Sequence, residues 1–406
     1  MHSQDLCRHY NICGGCSLQH LPYEEQLKIK ENKLKNVIEG IVKNSCRNTD
    51  ILPIVSSPQI WYYRNKMEFA FGKRESTCSV LLGLREKEKY WKVVNVEECR
   101  LLSPGSNYIL ELTRKWAVEN KFSPYNLSTH KGFLRYLVIR ESKNKPANDV
   151  MINLVTTSGI EDDKKNKIMS LYEMLKERVS GIKSFLWSIN DNIGDSAYAE
   201  NKNIYDISGC REISEFVGKY ELFYSAYTFF QPNSFLIEKL YQIIKEWIVE
   251  NSVNSDGVDF LADLYCGVGG ISIYLSDAVK SVVGVELQEE ACKYAEKNAQ
   301  KNGVYNCKFV VGDVSTVLKR LHNNVNIYKN KCYVFDPPRA GINKEVAYRT
   351  ISQQPNTVIY VCCNINSLKN NLLYFTNFYT ITRLQTIDMF PHTGHFETVV
   401  LLKRKK

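Results

Sequence analysis

The 406-residue chain lacks internal repeats and low-complexity tracts, which argues against a solenoid or a disordered polypeptide. Its first residues, Met1-His2-Ser3-Gln4-Asp5, carry no basic stretch followed by an apolar run. Neither a secretory leader nor a membrane anchor is therefore expected, and the protein is read as cytoplasmic. Charge of one sign is not dominant. Lys and Arg number 53 against 44 Asp and Glu, a formal +9 that favours a polyanionic partner but is thinly spread. The 44% hydrophobic and 24% charged content is that of an ordinary globular protein. The length predicts two or three domains.

What is abundant is cysteine. Thirteen cysteines without a leader point to reduced thiols engaged in metal binding or catalysis. Cys7, Cys13 and Cys16 lie close together, and Gly14-Gly15 lets the chain wrap a compact ion or cluster. Three thiolates leave one place open, for which Cys46, Cys78 and Cys99 compete, and composition does not choose between zinc and an iron–sulfur cluster.

Periodicity divides the chain further. Tyr23 to Ile41 carries Leu27, Leu34, Ile38 and Ile41 at helical spacing. Trp61 to Val96, and Phe133 to Val155 around a Ser142–Asn148 loop, predict antiparallel strands, and Asp162 to Val179 a helix. After Phe229 the pattern becomes a helix at Pro232–Val249, then apolar strands at 258–265, 281–285, 308–311, 332–335 and 357–361 with helices between most of them. This is the signature of a parallel α/β sheet with crossover helices. We expect a cysteine segment and first β region over 1–100, a central α+β RNA-binding unit over 101–230, and a Rossmann-like domain over 231–406.

The chemistry-bearing motifs fall at predicted strand ends. Asp263-Leu264-Tyr265-Cys266-Gly267-Val268-Gly269-Gly270 follows a strand, and Glu286 ends the next one, nineteen positions after Gly267. A carboxylate so placed can accept hydrogen bonds from ribose hydroxyls. The glycine spacing is not that of a dinucleotide loop, so S-adenosylmethionine is favoured over NAD, with Asp313 near its adenine edge. Asp336-Pro337-Pro338-Arg339 follows another strand; amino-methylating enzymes commonly have an aromatic where Arg339 stands, which makes amino methylation the second reading. Cys362-Cys363-Asn364 ends a further strand. Either thiol alone is more often a small apolar filler than a nucleophile.

Taken with Tyr63-Arg64-Asn65-Lys66, Phe229-Phe230-Gln231-Pro232-Asn233 and His392-Thr393-Gly394-His395-Phe396-Glu397, these motifs make the chain resemble the 5-methyluridine RNA methyltransferases over nearly its whole length. The resemblance implies a class I methyltransferase domain, Cys363 as nucleophile, Glu397 as general base, and cofactor contacts from Gln231, Tyr265, Glu286, Asp313 and Asp336. It also implies a 4Fe-4S cluster on Cys7, Cys13, Cys16 and Cys99, serving folding or RNA binding rather than chemistry. Gly270 departs from relatives that carry a polar side chain there, leaving only its backbone for a contact.

The chemistry asks for the same residue types. C5 of uracil becomes nucleophilic once a thiolate adds to C6, and a base must later remove the C5 proton. His392 and His395 are read as structural rather than metal ligands. Arg64, Lys66, Lys73, Arg74, Lys131, Arg135 and the tail Lys403–Lys406 are candidate phosphate contacts. The chain begins almost at its first cysteine, so RNA recognition is expected without a preceding small β-barrel domain. Large-subunit (23S) ribosomal RNA is the favoured target; transfer RNA, or a non-catalytic cluster-bearing RNA sensor, are the alternatives. The protein is expected to act as a monomer.

Overall fold

The structure is a computed structural model that describes residues 6–45, 49–73, 79–159, 162–200, 203–252, 257–325 and 327–405. The chain opens with α1 (Tyr23–Ser45) and β1 (Asp50–Val55). It continues through β2 (Lys66–Lys73), β3 (Val80–Glu86), β4 (Lys89–Asn95), α2 (Pro104–Glu119), β5 (Leu134–Glu141), β6 (Val150–Thr156), α3 (Asp162–Lys176), β7 (Ile182–Ile189) and β8 (Ile204–Gly209). β9 (Glu212–Val217) and β10 (Tyr220–Ser225) form a hairpin. Then come α4 (Ser234–Ser252), β11 (Val258–Leu264), α5 (Gly270–Leu275), β12 (Val279–Glu286), α6 (Glu289–Lys301), β13 (Cys307–Val311), α7 (Val314–Val325), β14 (Lys331–Phe335), α8 (Lys344–Gln353), β15 (Thr357–Cys362), α9 (Ile365–Phe375), β16 (Tyr379–Ile387) and β17 (Glu397–Arg404).

Two large sheets organise these elements. In the first, ordered β4-β3-β2-β5-β6-β7-β8, β2 pairs with β5, so one sheet spans both sides of residue 100. One of its faces is covered by α2 and α3: Trp116, Ile168, Leu171 and Leu175 pack with Phe69, Leu137, Ile152 and Phe185 in one core.

The second sheet is ordered β1-β16-β17-β15-β14-β11-β12-β13, and within it β17 alone runs antiparallel to its neighbours. Because both faces are covered by helices, its central strands read as continuous apolar runs rather than alternating ones. Along β15, Val358 and Tyr360 join a core with α1, α7, α8 and α9, while Ile359 and Val361 join the opposite core with α4 and α5. α1 and β1 are thus part of this second layer system, with Leu34, Ile38 and Ile41 packed under it and β1 hydrogen-bonded along β16.

Strand order reverses at β11, with β12 and β13 on one side and β14 and β15 on the other. In such sheets the crevice outside the carboxyl ends at this switch point is where ligands bind. The motifs ending β11, β12, β14 and β15 all reach it.

Candidate active site

The chain leaves β11 through a tight turn. Tyr265 adopts a left-handed backbone, φ +70°, a conformation uncommon for a non-glycine residue and concentrated at functional sites. The amides of Tyr265 and Cys266 both donate to the Val285 carbonyl, at 2.9 and 3.0 Å, locking the turn onto β12. Gly269 follows at φ +83°, where a Cβ would lie 2.9 Å from that of Ala295. Gly270 has a packing reason for being glycine: a Cβ there would sit 2.5 Å from the Tyr241 hydroxyl on α4.

Around this loop stand the expected carboxylates. Glu286 accepts from the amides of Gly267 (3.0 Å) and Gln288 (2.9 Å), which aims it along the loop. Asp313, after β13, accepts from the Thr316 amide at 3.1 Å and begins α7. Asp263 opens the same motif. It is fully buried beneath the loop and accepts from both the amide and the hydroxyl of Ser272 (2.9 and 2.6 Å), tying β11 to α5. Burial pushes its carboxyl up to about 7, against the pull of the Ser272 bonds.

Asp336, the residue after β14, is joined to Gln231 across 105 positions: the Gln231 amide donates to its carboxylate at 2.8 Å. Burial raises the Asp336 carboxyl to about 6, opposed by that bond. Gln231 is itself held by Asn65, whose side-chain amide donates to the Gln231 carbonyl (2.7 Å) and the Ser234 hydroxyl (3.0 Å). Sequence reasoning had no position-specific signal for Asn65 beyond its place in a short polar motif.

Cys362 and Cys363 divide their labour. Cys362 is buried, donates to the Asn364 carbonyl at 3.1 Å and lies 3.6 Å from the Ser367 hydroxyl. Cys363 is partly exposed. Its thiol is pushed up to about 12, chiefly by burial and then by the negative charges of Glu397, Cys362 and Asp336, with Arg339 pulling the other way. Asn364 caps α9 and also donates to the Arg339 carbonyl at 3.1 Å, so it fastens the Asp-Pro-Pro-Arg turn to the cysteine pair. Glu397, 4% exposed, is raised well above the ordinary carboxylate range by burial and by Asp336, with Arg339 opposing. Cys363, Glu397, Asp336 and Arg339 therefore share one electrostatic neighbourhood. Glu397 Oε2 and Gln231 Oε1 are buried without a hydrogen-bond partner among the described residues.

The N-terminal cysteines are brought together. Cys7, Cys13, Cys16 and Cys99 line one cavity with Trp61 and Leu101. Burial raises the thiols of Cys13, Cys16 (to about 12) and Cys99 (to about 11), and the neighbouring sulfurs add to each rise. Among the described residues no three His, Cys, Asp or Glu side chains form a ready metal-holding group, so the four thiols surround a cavity rather than a preformed coordination shell. Cys46 and Cys78 lie outside the described residues, as do Arg74 and Lys406.

Several basic residues do something other than expected. Arg135 is buried and spends its guanidinium on the carbonyls of Asn190 (2.8 Å), Asn192 (2.5 Å) and Gly194, over the Tyr125 ring. Lys403–Lys405 sit at the wrong end of the sheet, because antiparallel β17 starts at the site and runs away from it, pairing Lys403 with Thr357. Lys66 pairs with Glu68 at 2.6 Å, whereas Lys73 and Lys131 are exposed. Arg64 lies 6.0 Å from the Phe390 ring centre.

Sheet order, loop turn and carboxylate placement define a class I S-adenosylmethionine-dependent methyltransferase fold. Its particular family follows from comparison: the profile of the tRNA (uracil-5-)-methyltransferase family matches residues 22–405, and the chain belongs to that family. An uncharacterised RNA methyltransferase of Caldanaerobacter subterraneus subsp. tengcongensis is 36% identical over 98% of this chain and 84% of its own length. One from Clostridium tetani is 34% identical over 98% and 84%. The crystal structure of Pyrococcus abyssi tRNA (uracil-54, C5)-methyltransferase with S-adenosyl-L-homocysteine superposes with TM-score 0.73 at 29% identity, covering 96% of this chain and 86% of that one. The protein is thus an S-adenosylmethionine-dependent RNA (uracil-5-)-methyltransferase. Among the described residues no helix is long and apolar enough to cross a membrane.

Proposed function

We propose that the chain methylates C5 of a specific uridine in structured RNA through a covalent bond between Cys363 and C6 of the base. The observation that carries this reading is the gathering of Cys363, Glu397 and Asp336 at the carboxyl end of β14 and β15, beside the cofactor turn. The Cys363 thiolate adds to C6, and the electron pair moves onto the C4 carbonyl as an enolate. C5 then takes the methyl group from the sulfonium. Glu397 accepts the remaining C5 proton, the C5–C6 double bond re-forms, and the C6–S bond breaks with its electrons returning to Cys363.

The partnerless oxygen of Gln231 fits this substrate, since uracil offers an N3–H donor at its edge and a buried acceptor without a donor is costly, and the partnerless oxygen of Glu397 leaves that carboxylate free to take the C5 proton. Glu286 and Asp313 are assigned to the ribose and adenine of S-adenosylmethionine, with Tyr265, Asp336 and Gln231 completing the pocket. A base within folded RNA must leave its stack to enter. Exposed Lys73 and Lys131 remain the phosphate contacts.

Cys7, Cys13, Cys16 and Cys99 are assigned to a 4Fe-4S cluster, a reading supported by the four thiols lining one cavity. Bound there, it would clamp the N-terminal segment to the turn carrying Cys99. Large-subunit ribosomal RNA is the target we favour from the cysteine spacing. The transfer-RNA enzyme among the solved relatives supports the T-loop uridine as second reading. Mass spectrometry of ribosomal and transfer RNA from a strain lacking the protein decides: 5-methyluridine disappears from one 23S position in the first case, from transfer RNA in the second. Unchanged 5-methyluridine in both overturns the proposal.

A further inference from the structure

Glu397 is the first residue of β17 and pairs with Ile387 of β16, so the loop 388–396 between these two positions closes directly onto it. That loop is held largely from outside. Its centre is His392, at φ +65°, a left-handed backbone that a non-glycine residue keeps only where surroundings enforce it. The amides of Ser17 and Leu18 both donate to the His392 carbonyl at 2.9 Å. Gln26 of α1 accepts from the His392 amide at 2.9 Å and donates to its ring Nδ1 at 3.2 Å. The Trp61 indole stacks on the imidazole with centroids 3.8 Å apart and planes 25° from parallel. The Tyr63 hydroxyl donates to the Pro391 carbonyl at 3.1 Å, and buried Lys30 reaches the Phe390 carbonyl at 3.0 Å.

One of these anchors lines the cysteine cavity and another adjoins it along the chain. Ser17 follows Cys16 directly, and Trp61 lines the cavity together with all four cysteines. We infer that His392 is a positioning residue through which Trp61, in the wall of the cysteine-lined cavity, and Ser17, the residue after its Cys16, set the placement of Glu397. This rests on the reading of Glu397 as base, and it changes the expected role of the cysteine segment. Loosening that wall acts on one chemical step: Cys363 still adds to C6 and C5 still receives its methyl group, but the C5 proton leaves slowly, so the C6–S bond persists.

The test compares Trp61→Ala, Trp61→Phe, His392→Gly and Glu397→Gln in the full chain. His392→Gly keeps the left-handed backbone and removes only the ring contacts. Adduct formation is read in single turnovers with 5-fluorouridine RNA, and adduct breakdown with uridine RNA and labelled S-adenosylmethionine on denaturing gels. Trp61→Ala and His392→Gly are expected to form the adduct within about twofold of wild type and to release it at least tenfold more slowly, while Trp61→Phe, which preserves a stacking surface, releases it within about threefold. Cys16→Ser is expected to behave like Trp61→Ala. Wild-type breakdown in both Trp61→Ala and His392→Gly, or formation slowed as much as breakdown, overturns the inference. So does a Phe variant as slow as the Ala variant. Glu397→Gln separates the two readings. If it accumulates adduct while the Trp61 and His392 variants do not, only the present inference falls; if it turns over normally, the assignment of the base falls with it.

Discussion

Glu397 and Cys363 lie at the same end of the β15–β17 ladder: its last antiparallel pair is Cys362 with Thr398, Cys363 and Glu397 are the residues just beyond that pair, and the Glu397 charge acts on the Cys363 thiol. The negative charge of Glu397 adds to the rise of the Cys363 thiol, while Glu397 itself is raised by burial and by Asp336, and Arg339 opposes both rises.

Replacing Cys363 by Ala should abolish adduct formation and methyl transfer by at least about a thousandfold, the scale on which loss of a nucleophile acts. S-adenosylmethionine binding, measured by calorimetry, should change little. Cys362→Ala should instead cost about 1 kcal/mol of stability, because its thiol fills a buried site between Asn364 and Ser367. Turnover that survives in Cys363→Ala but not in Cys362→Ala would reverse the assignment.

Glu397→Gln should form the covalent complex and methylate it, yet fail to release product, since an amide is a far weaker base than a carboxylate. Labelled methyl should migrate with a protein–RNA band on denaturing gels and vanish when Cys363 is also replaced. Absence of that band with competent RNA would assign the base elsewhere.

The pH dependence of adduct formation follows from the Cys363 thiol. Burial, reinforced by Glu397, Cys362 and Asp336, raises it to about 12, so at neutral pH the group is protonated and only the small thiolate fraction attacks. Single-turnover adduct formation should therefore climb about tenfold per unit between pH 7 and 9. Removing the opposing charge with Arg339→Gln should slow it at every pH in that range. A flat profile would show that the thiol is not the species whose deprotonation limits attack.

Lys30 and Asp388 form an ion pair at 2.5 Å with both side chains fully buried. Lys30→Met strands a carboxylate in the interior and should destabilise the fold by about 3–5 kcal/mol in urea unfolding. The double replacement Lys30→Met, Asp388→Leu should recover most of that loss. Equal destabilisation in single and double variants would mean the lysine contributes by packing alone.

Protein purified without oxygen should be brown and carry about four irons per chain if the four cysteines hold a 4Fe-4S cluster. Cys13→Ser should be colourless. Stoichiometric zinc in the full-length protein would refute the assignment.

Local sequence carried much of the fold and the placement of the motifs at strand ends. The apolar runs of β11, β14 and β15, the glycine turn after Leu264, and the carboxylate ending β12 were each visible because period and turn chemistry are properties of neighbouring residues. The α2 helix is not legible from periodicity because its buried face, with Ser106, Ile109, Leu110, Thr113 and Trp116, mixes polar with apolar residues. Arg135 looked like a surface cation until Asn190, Asn192 and Gly194 turned their carbonyls toward it.

The sequence by itself determined the methyltransferase half of the chain, the strand-end address of Cys363 and the grouping of Cys7, Cys13 and Cys16, since all three reside in short contiguous motifs. Only the tertiary structure decided that Glu397 comes to the end of β15 where Cys363 lies, that Gln231 reaches Asp336, that Cys99 lines one cavity with the N-terminal cysteines, and that α1 and β1 serve the distant C-terminal sheet. These relations depend on strand register and helix packing between segments up to several hundred residues apart. A one-residue shift in such a register would move every side chain to the opposite face, and only the packed core on both sides of the sheet selects against it.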